Sequence, residues 1–331
     1  MDKILLGHGS GGKLMHELIR RHFSPAFGIQ GAGDSAIVDM PSTKLAYTTD
    51  SYVVTPLFFP GGNIGELAVN GTVNDLAVSG AEPLYLTAGF VIEEGFPLSD
   101  LKIIIASMSD AAVRAGVKIV AGDTKVVNKG KADGIFINTS GVGVLPDGRD
   151  ISASKIRAGN RIIISGELGC HGVAVIAERN GLTFEPQVVS DTRALNALVQ
   201  DMYAVTGEIK FMRDPTRGGL ATTLKETAVE SGLCMHVREQ SLPVPPGVRG
   251  ACSLLGLDPL YVANEGVLIA IVDKAVAETL VASMKAHEHG RQAAVIGEVM
   301  DKPSGMVLLE TTVGGTRIVD MLQGEQLPRI C

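Results

Sequence analysis

The chain has 331 residues, 45% of them apolar, with 40 glycines, no tryptophan and a formal net charge of −7. That length exceeds one simple core and sets an expectation of two domains, while the acidic balance and scarce aromatics argue against nucleic acid as a partner. The cysteines at 170, 234, 252 and 331 include no CxxC pair and form no disulfide framework, so a reducing compartment is expected.

Met1 to Leu6 turns directly into glycines without the apolar core of a signal peptide. Apolar runs such as 103–106 and 267–272 fall far short of the ~20 residues a membrane span needs, so a cytoplasmic chain outside the membrane is expected. Gly7-His8-Gly9-Ser10-Gly11-Gly12-Lys13 precedes a helix over 14–22. It nearly matches a P-loop, but Leu14 stands where a hydroxyl would hold Mg²⁺. Glycine-rich backbone can wrap an anion with Lys13 supplying charge, or can be a flexible arm; the spacing leaves both open.

Gly33-Asp34-Ser35 leads into a strand at 36–38, and a second strand at 45–51 carries Asp50. Residues 63–79 read as a largely apolar helix, with Asn70 and Asn74 on one face and Asp75 beside them. A core hydrogen-bond network explains the asparagines, but explains a charged Asp75 less well. Next come a strand at 84–90, a helix at 99–115 capped by Ser99, and a strand from 117 running into Gly122-Asp123-Thr124-Lys125. A glycine-punctuated strand at 134–144 ends in the polar turn 146–149, which sets the boundary between an N-terminal α/β domain (1–148) and a C-terminal αβ domain (149–300).

The second half opens with a strand at 161–165 and a glycine-rich turn into a helix ending at 179. Cys170-His171 lacks a second ligand pair and reads as a packed turn. A helix at 192–205 is followed by Met212-Arg213-Asp214-Pro215-Thr216-Arg217-Gly218-Gly219 and a helix at 220–230. Asp214 and Arg217 there suit either a phosphate or carboxylate binder or an ordinary helix start. Asn264-Glu265-Gly266 precedes a strand at 267–272, then a helix at 274–287 and a strand at 293–299. Residues 301–331 read as a late β appendage carrying a mobile tail.

Asp34, Asp50, Asp75 and Asp123 all stand at or near ends of apolar elements. Singly each suits a turn or cap; together they suggest hard oxygen ligands for Mg²⁺ and nucleotide phosphates. The final residue, Cys331, suits either a C-terminal strand that happens to end in cysteine or an acyl acceptor on a loose end. Eight extended residues reach about 25 Å at ~3.3 Å each, enough to leave a cleft and meet a partner.

Gly33-Asp34-Ser35-Ala36, Thr48-Thr49-Asp50-Ser51, Asn74-Asp75-Leu76-Ala77 and Gly122-Asp123-Thr124-Lys125 resemble the aminoimidazole ribonucleotide synthetase superfamily, the PurM-like ATP-binding fold. Within it, Gly9-Ser10-Gly11-Gly12-Lys13, the stretch from Asp214 to Gly219, Asn264-Glu265-Gly266 and the ending Pro328-Arg329-Ile330-Cys331 resemble the HypE family of hydrogenase maturation factors. The resemblance implies an α/β fold whose N-terminal sheet pairs with that of a second subunit in a homodimer. It implies that a HypF-type carbamoyltransferase loads Cys331, that ATP dehydrates the S-carboxamide to an S-cyanate, and that the cyano group passes to iron on a HypC–HypD complex. Lys13, Asn74, Gly122, Thr124, Asp214 and Arg217 would then serve the nucleotide, with Mg²⁺ on Asp34, Asp50, Asp75 and Asp123. Glu265 would be the base, and Lys125 would orient the carboxamide. A small-molecule kinase of the same fold is one rival, although a selenophosphate synthetase would be expected to carry Cys or selenocysteine where Ser10 stands. A nucleotide-binding carrier without chemistry is another.

Overall fold

The computed structural model describes residues 13–18, 20, 36–39, 43–322, 324, 327 and 329–331. The glycine-rich stretch 7–12 and Asp34 therefore lie outside the described residues.

A short helix α1 (Lys13–Leu18) precedes the first sheet and is tied to the second half through His16, which pairs with Glu226. The first sheet contains β1 (Ala36–Asp39), β2 (Lys44–Tyr52), β5 (Glu82–Glu93), β6 (Lys118–Val127) and β7 (Ile135–Leu145), in the order β1-β2-β7-β5-β6. Only β5 and β6 pair in parallel. A small hairpin of β3 (Phe58–Phe59) and β4 (Gly62–Asn63) leads into α2 (Ile64–Val78). Asn63 caps α2 by accepting from the N–H groups of Gly65 (2.9 Å) and Glu66 (3.4 Å), as its extended backbone allows. With α3 (Leu98–Ala115), α2 covers one face of the sheet and is buried almost all round, which explains its continuous apolar sequence. The N-cap of α3 is Pro97, not Ser99; the Ser99 hydroxyl donates to Asp100 Oδ1 instead.

The second sheet comprises β8 (Arg161–Ile164), β9 (Ile209–Arg213), β10 (Cys234–Arg238), β11 (Ile269–Val272), β12 (Ala294–Met300), β13 (Val307–Glu310) and β14 (Thr316–Val319). Their order is β14-β13-β10-β12-β8-β11-β9. The accompanying helices are α4 (Cys170–Arg179), α5 (Asn196–Val205), α6 (Gly219–Ser231), α7 (Pro246–Leu255) and α8 (Ala277–Ala286). Strands β13 and β14 belong to this sheet and bring Val307, Leu309 and Val319 into its core. Helix α2 is wedged between the two halves. Its Asn74 accepts from Leu195 N–H (2.8 Å) and donates to the carbonyls of Arg193 (3.0 Å) and Glu265 (3.2 Å), and Asn70 donates to Thr192 Oγ1 (3.3 Å). Both asparagines thus form the hydrogen-bond network that makes their burial tolerable. No helix among the described residues is long and apolar enough to cross a membrane.

Candidate active site at the buried C-terminus

After β14 the chain returns to the first half, and its last residues are held along the segment that follows β2. Val53 N–H donates to a terminal carboxylate oxygen of Cys331 (3.0 Å) and Thr55 N–H to the Arg329 carbonyl (3.2 Å). Arg329, at φ 50°, donates through Nε to Val53 O (2.8 Å) and pairs through Nη1 with Asp133. Arg179, at the end of α4, reaches both sides: Nε to Thr55 O and Nη2 to Arg329 O, each 2.8 Å. Ile330 and Cys331 end up buried in the same apolar core as Tyr52, Val54, Ala68, Val175 and Ala263.

The terminal thiol sits beside Arg217, whose guanidinium hydrogen-bonds it. Arg217 Nη2 also lies 3.4 Å from Asp50 Oδ1. Burial pushes the Cys331 thiol up to about 12; Arg217 opposes that shift, while Glu265 and Asp50 add to it. In this seat the sulfur is therefore a neutral thiol at physiological pH, not a nucleophile. Glu265 is 3% exposed, and its Oε1 has no hydrogen-bond partner among the described residues. Its carboxyl is held well above the usual carboxylate range, first by burial and then by Asp214, Asp191 and Asp50, with Arg217 pulling the other way.

The backbone around Glu265 is clamped. Asp191 Oδ2 accepts from the N–H groups of Glu265 (3.1 Å) and Gly266 (2.9 Å), while Asn264 accepts from Gly169 N–H (2.7 Å) and donates to Pro215 O (2.9 Å). A Cβ on Gly266 would fall 1.8 Å from the Asp191 carbonyl, so only glycine fits. On the opposite wall, Gly219 (φ 59°) lets α6 start close against the Leu260 and Val262 carbonyls, each 2.6 Å from where a Cβ would stand. This close approach sets the loop from Asp214 to Gly218 against Asn264 and presents Arg217 to the thiol.

Among the expected carboxylates, Asp50 and Asp75 come together. Thr48 and Asp50 alternate onto the helix-facing side of β2, Thr48 Oγ1 donates to Asp75 Oδ2 (2.7 Å), and both carboxylates raise the Tyr52 hydroxyl's pKa, after burial. Asp123 does not join them within one chain. Its row across the sheet is Ser51, Asn138, Gly89 and Asp123, so it faces the other side, three strands and about 14 Å from β2 at ~4.8 Å per strand. Lys125 shares that face and pairs with Asp123 at 3.0 Å. Gly122 and Thr124 lie on the same exposed edge strand, and Lys13 is exposed at the start of α1. Three further residues belong to the site: His171, which the sequence suggested only as part of a packed turn, and Arg179 and Asp191, which it did not single out. Their partners are backbone groups far away in the chain, which residue spacing does not reveal.

Residues 32–145 match the family model of the AIR synthase related protein N-terminal domain, and 157–310 that of the C-terminal domain. Carbamoyl dehydratase HypE of Bradyrhizobium diazoefficiens is 56% identical over 330 residues, covering 98% of this chain and 95% of that protein. The chain belongs to the HypE family of carbamoyl dehydratases. The Escherichia coli HypE is 44% identical over the whole of both chains. A solved HypE in complex with ATP superposes with a TM-score of 0.85 at 46% identity, covering 99% of this chain and 100% of that one. A HypE–HypF complex gives 0.87 at 47% identity, over 92% and 99%. The PurM-like two-domain α/β fold is thus that of HypE. A thiamine monophosphate kinase bound to AMPPCP shares the fold alone, at 17% identity and a TM-score of 0.68.

Proposed function

We propose that this chain dehydrates a carbamoyl group carried on its own Cys331, turning the S-carboxamide into an S-cyanate at the expense of ATP. The observation that carries this reading is the seat of the terminal sulfur, buried beside Arg217 and within electrostatic reach of Glu265 and Asp50. The amide oxygen is a poor leaving group until it attacks the γ-phosphorus and ADP departs. One N–H proton is lost as the oxygen is phosphorylated to the imidate; as the carbon–oxygen bond then breaks, the second passes to the departing phosphate and the nitrogen's electrons close the C≡N bond. Glu265 takes the first of those protons, and a carboxyl with a raised pKa is better matched to that task than an ordinary one. Arg217 holds the sulfur end of the carboxamide in place. Cys331→Ser should bind ATP yet yield no cyano product; a cyanated product from that variant would overturn the proposal.

Asp50 and Asp75 offer the hard-oxygen donors that Mg²⁺ takes alongside phosphates, although no group of three or more such side chains gathers among the described residues. Mg²⁺ bound there, with Asp34, would neutralise phosphate charge. We infer that Asp123, with Gly122, Thr124 and Lys125, is supplied by the second copy of a homodimer. Two features support pairing of the two sheets: the open edge of β6, and the outward sheet face, which leaves Tyr47 and Tyr85 almost half exposed. Lys125 would then orient the carboxamide in trans.

The protonated, buried thiol also implies a division of labour. Loading by a HypF-type carbamoyltransferase requires the tail to leave its seat and expose Cys331, and delivery to a HypC–HypD iron complex requires the same. The chain divides near residue 149, with the segment after β14 as the moving carrier. Four free, buried cysteines fit a cytoplasmic setting.

A further inference from the structure

His171 lies in the first turn of α4 with its ring fully buried, and no step of the reaction above uses it. Its Nε2 lies 2.7 Å from the Ile330 carbonyl oxygen and its Nδ1 2.8 Å from Ser190 Oγ. A carbonyl only accepts, so the Nε2 carries the proton and the Nδ1 accepts from the Ser190 hydroxyl. Ser190 Oγ in turn accepts the Thr192 N–H at 3.1 Å, and the Phe59 ring meets the imidazole edge-on, centroids 5.3 Å apart. Ser190 and Phe59 thus hold the ring in the orientation that turns Nε2 toward the tail. A serine beside a histidine suggests a nucleophile and its base, but here the pair is buried and the far nitrogen is committed to the chain's end.

We propose that His171 is the positioning residue of the C-terminal tail, donating its Nε2–H to the peptide carbonyl that joins Ile330 to Cys331 and so fixing the sulfur opposite Arg217 and Glu265. The hydrogen bond falls on the peptide next to the reacting residue, whereas Arg179 holds the tail one residue further back. When the tail leaves, the imidazole loses that acceptor. Its removal should raise the undocked fraction about tenfold, a net hydrogen-bond contribution of ~1.4 kcal/mol. This inference rests on the reading of Cys331 as the carrier of the reacting group.

The test uses the full-length protein with two substitutions. His171→Phe fills the ring space without a donor, and His171→Gln returns an N–H. Iodoacetamide labelling, read peptide by peptide, follows Cys331 against the buried Cys170, Cys234 and Cys252 as internal references. His171→Phe should raise Cys331 labelling about tenfold while the other three stay unchanged. It should also lower kcat on carbamoylated protein, by about twofold at most through lost docking, with KM for ATP unmoved, and His171→Gln should recover part of both. Unchanged Cys331 labelling, or all four cysteines rising together as in a loosened core, would overturn the inference. Should His171→Phe fail to fold, Ser190→Ala frees the tautomer; labelling should then rise about threefold at Cys331 alone, and no rise would count against the proposal. A Cys331→Ser variant that still makes product would instead refute the proposed function, while Cys331 labelling in the His171 variants would still report on the docking of the tail.

Discussion

Replacing Glu265 by glutamine keeps the side chain's shape and removes its charge in a place where charge is costly. The carboxyl is buried, has an unpaired oxygen, and faces Asp214, Asp191 and Asp50 with only Arg217 in opposition. Because its pKa is raised on folding, its contribution is most favourable below the unfolded carboxylate range, near pH 4.3, and is lost as pH rises through the folded value. Above the unfolded carboxylate range the raised pKa costs stability, so at neutral pH Glu265→Gln should be more stable, on the order of 1 kcal/mol or about 2–4 °C in Tm. The same substitution removes the base, for a loss of about 10²–10⁴-fold in cyanation of pre-carbamoylated protein, with ATP affinity retained. Scanning calorimetry and single-turnover mass spectrometry of the C-terminal peptide read the two effects separately. A variant that is less stable, or that turns over within about threefold of the parent, would show that Glu265 is a structural carboxyl and not the base.

Two further outcomes follow from the same geometry. The single-turnover rate should fall on the acid side at a pH above the ordinary carboxylate range, since Glu265 must be ionised to accept a proton and its pKa is raised; a rate flat down to pH ~4.5 would separate the rate from this group. Asp50→Asn and Asp123→Asn should each be inactive alone, yet regain activity when mixed under conditions of subunit exchange, because one mixed site keeps Asp50 from one copy and Asp123 from the other. Failure of the mixture to exceed either variant would mean that the two carboxylates act within one chain.

Much of this architecture was legible in the residues. The apolar run with Asn70, Asn74 and Asp75 was readable as a helix because its pattern is local, whereas Asn264-Glu265-Gly266 stood out only through the family resemblance. Helix α7 was missed because Pro245-Pro246-Gly247 reads as a turn, although proline suits the first helical turn. Strands β9 and β10 were missed because Lys210 and Arg213 in the one, and His236 and Arg238 in the other, break the apolar run that marks β8 and β11. The likeness of Asp50, Asp75 and Asp123 in sequence concealed that alternation along a strand sends Asp123 to the opposite face. His171 read as a packed turn because its defining partner is a carbonyl 159 residues away. Asp191 lies in a stretch without periodicity, and only the folded chain brings it under the Glu265 backbone.

The most direct measurement compares ATP consumption by carbamoylated and unmodified protein while the C-terminal peptide is weighed in the same reaction. Carbamoylated protein should release one phosphate for each Cys331 that loses the elements of water, and unmodified protein should release phosphate far more slowly. Equal rates from the two forms, or phosphate released with no change at Cys331, would contradict a self-substrate dehydratase and favour a nucleotide-binding carrier.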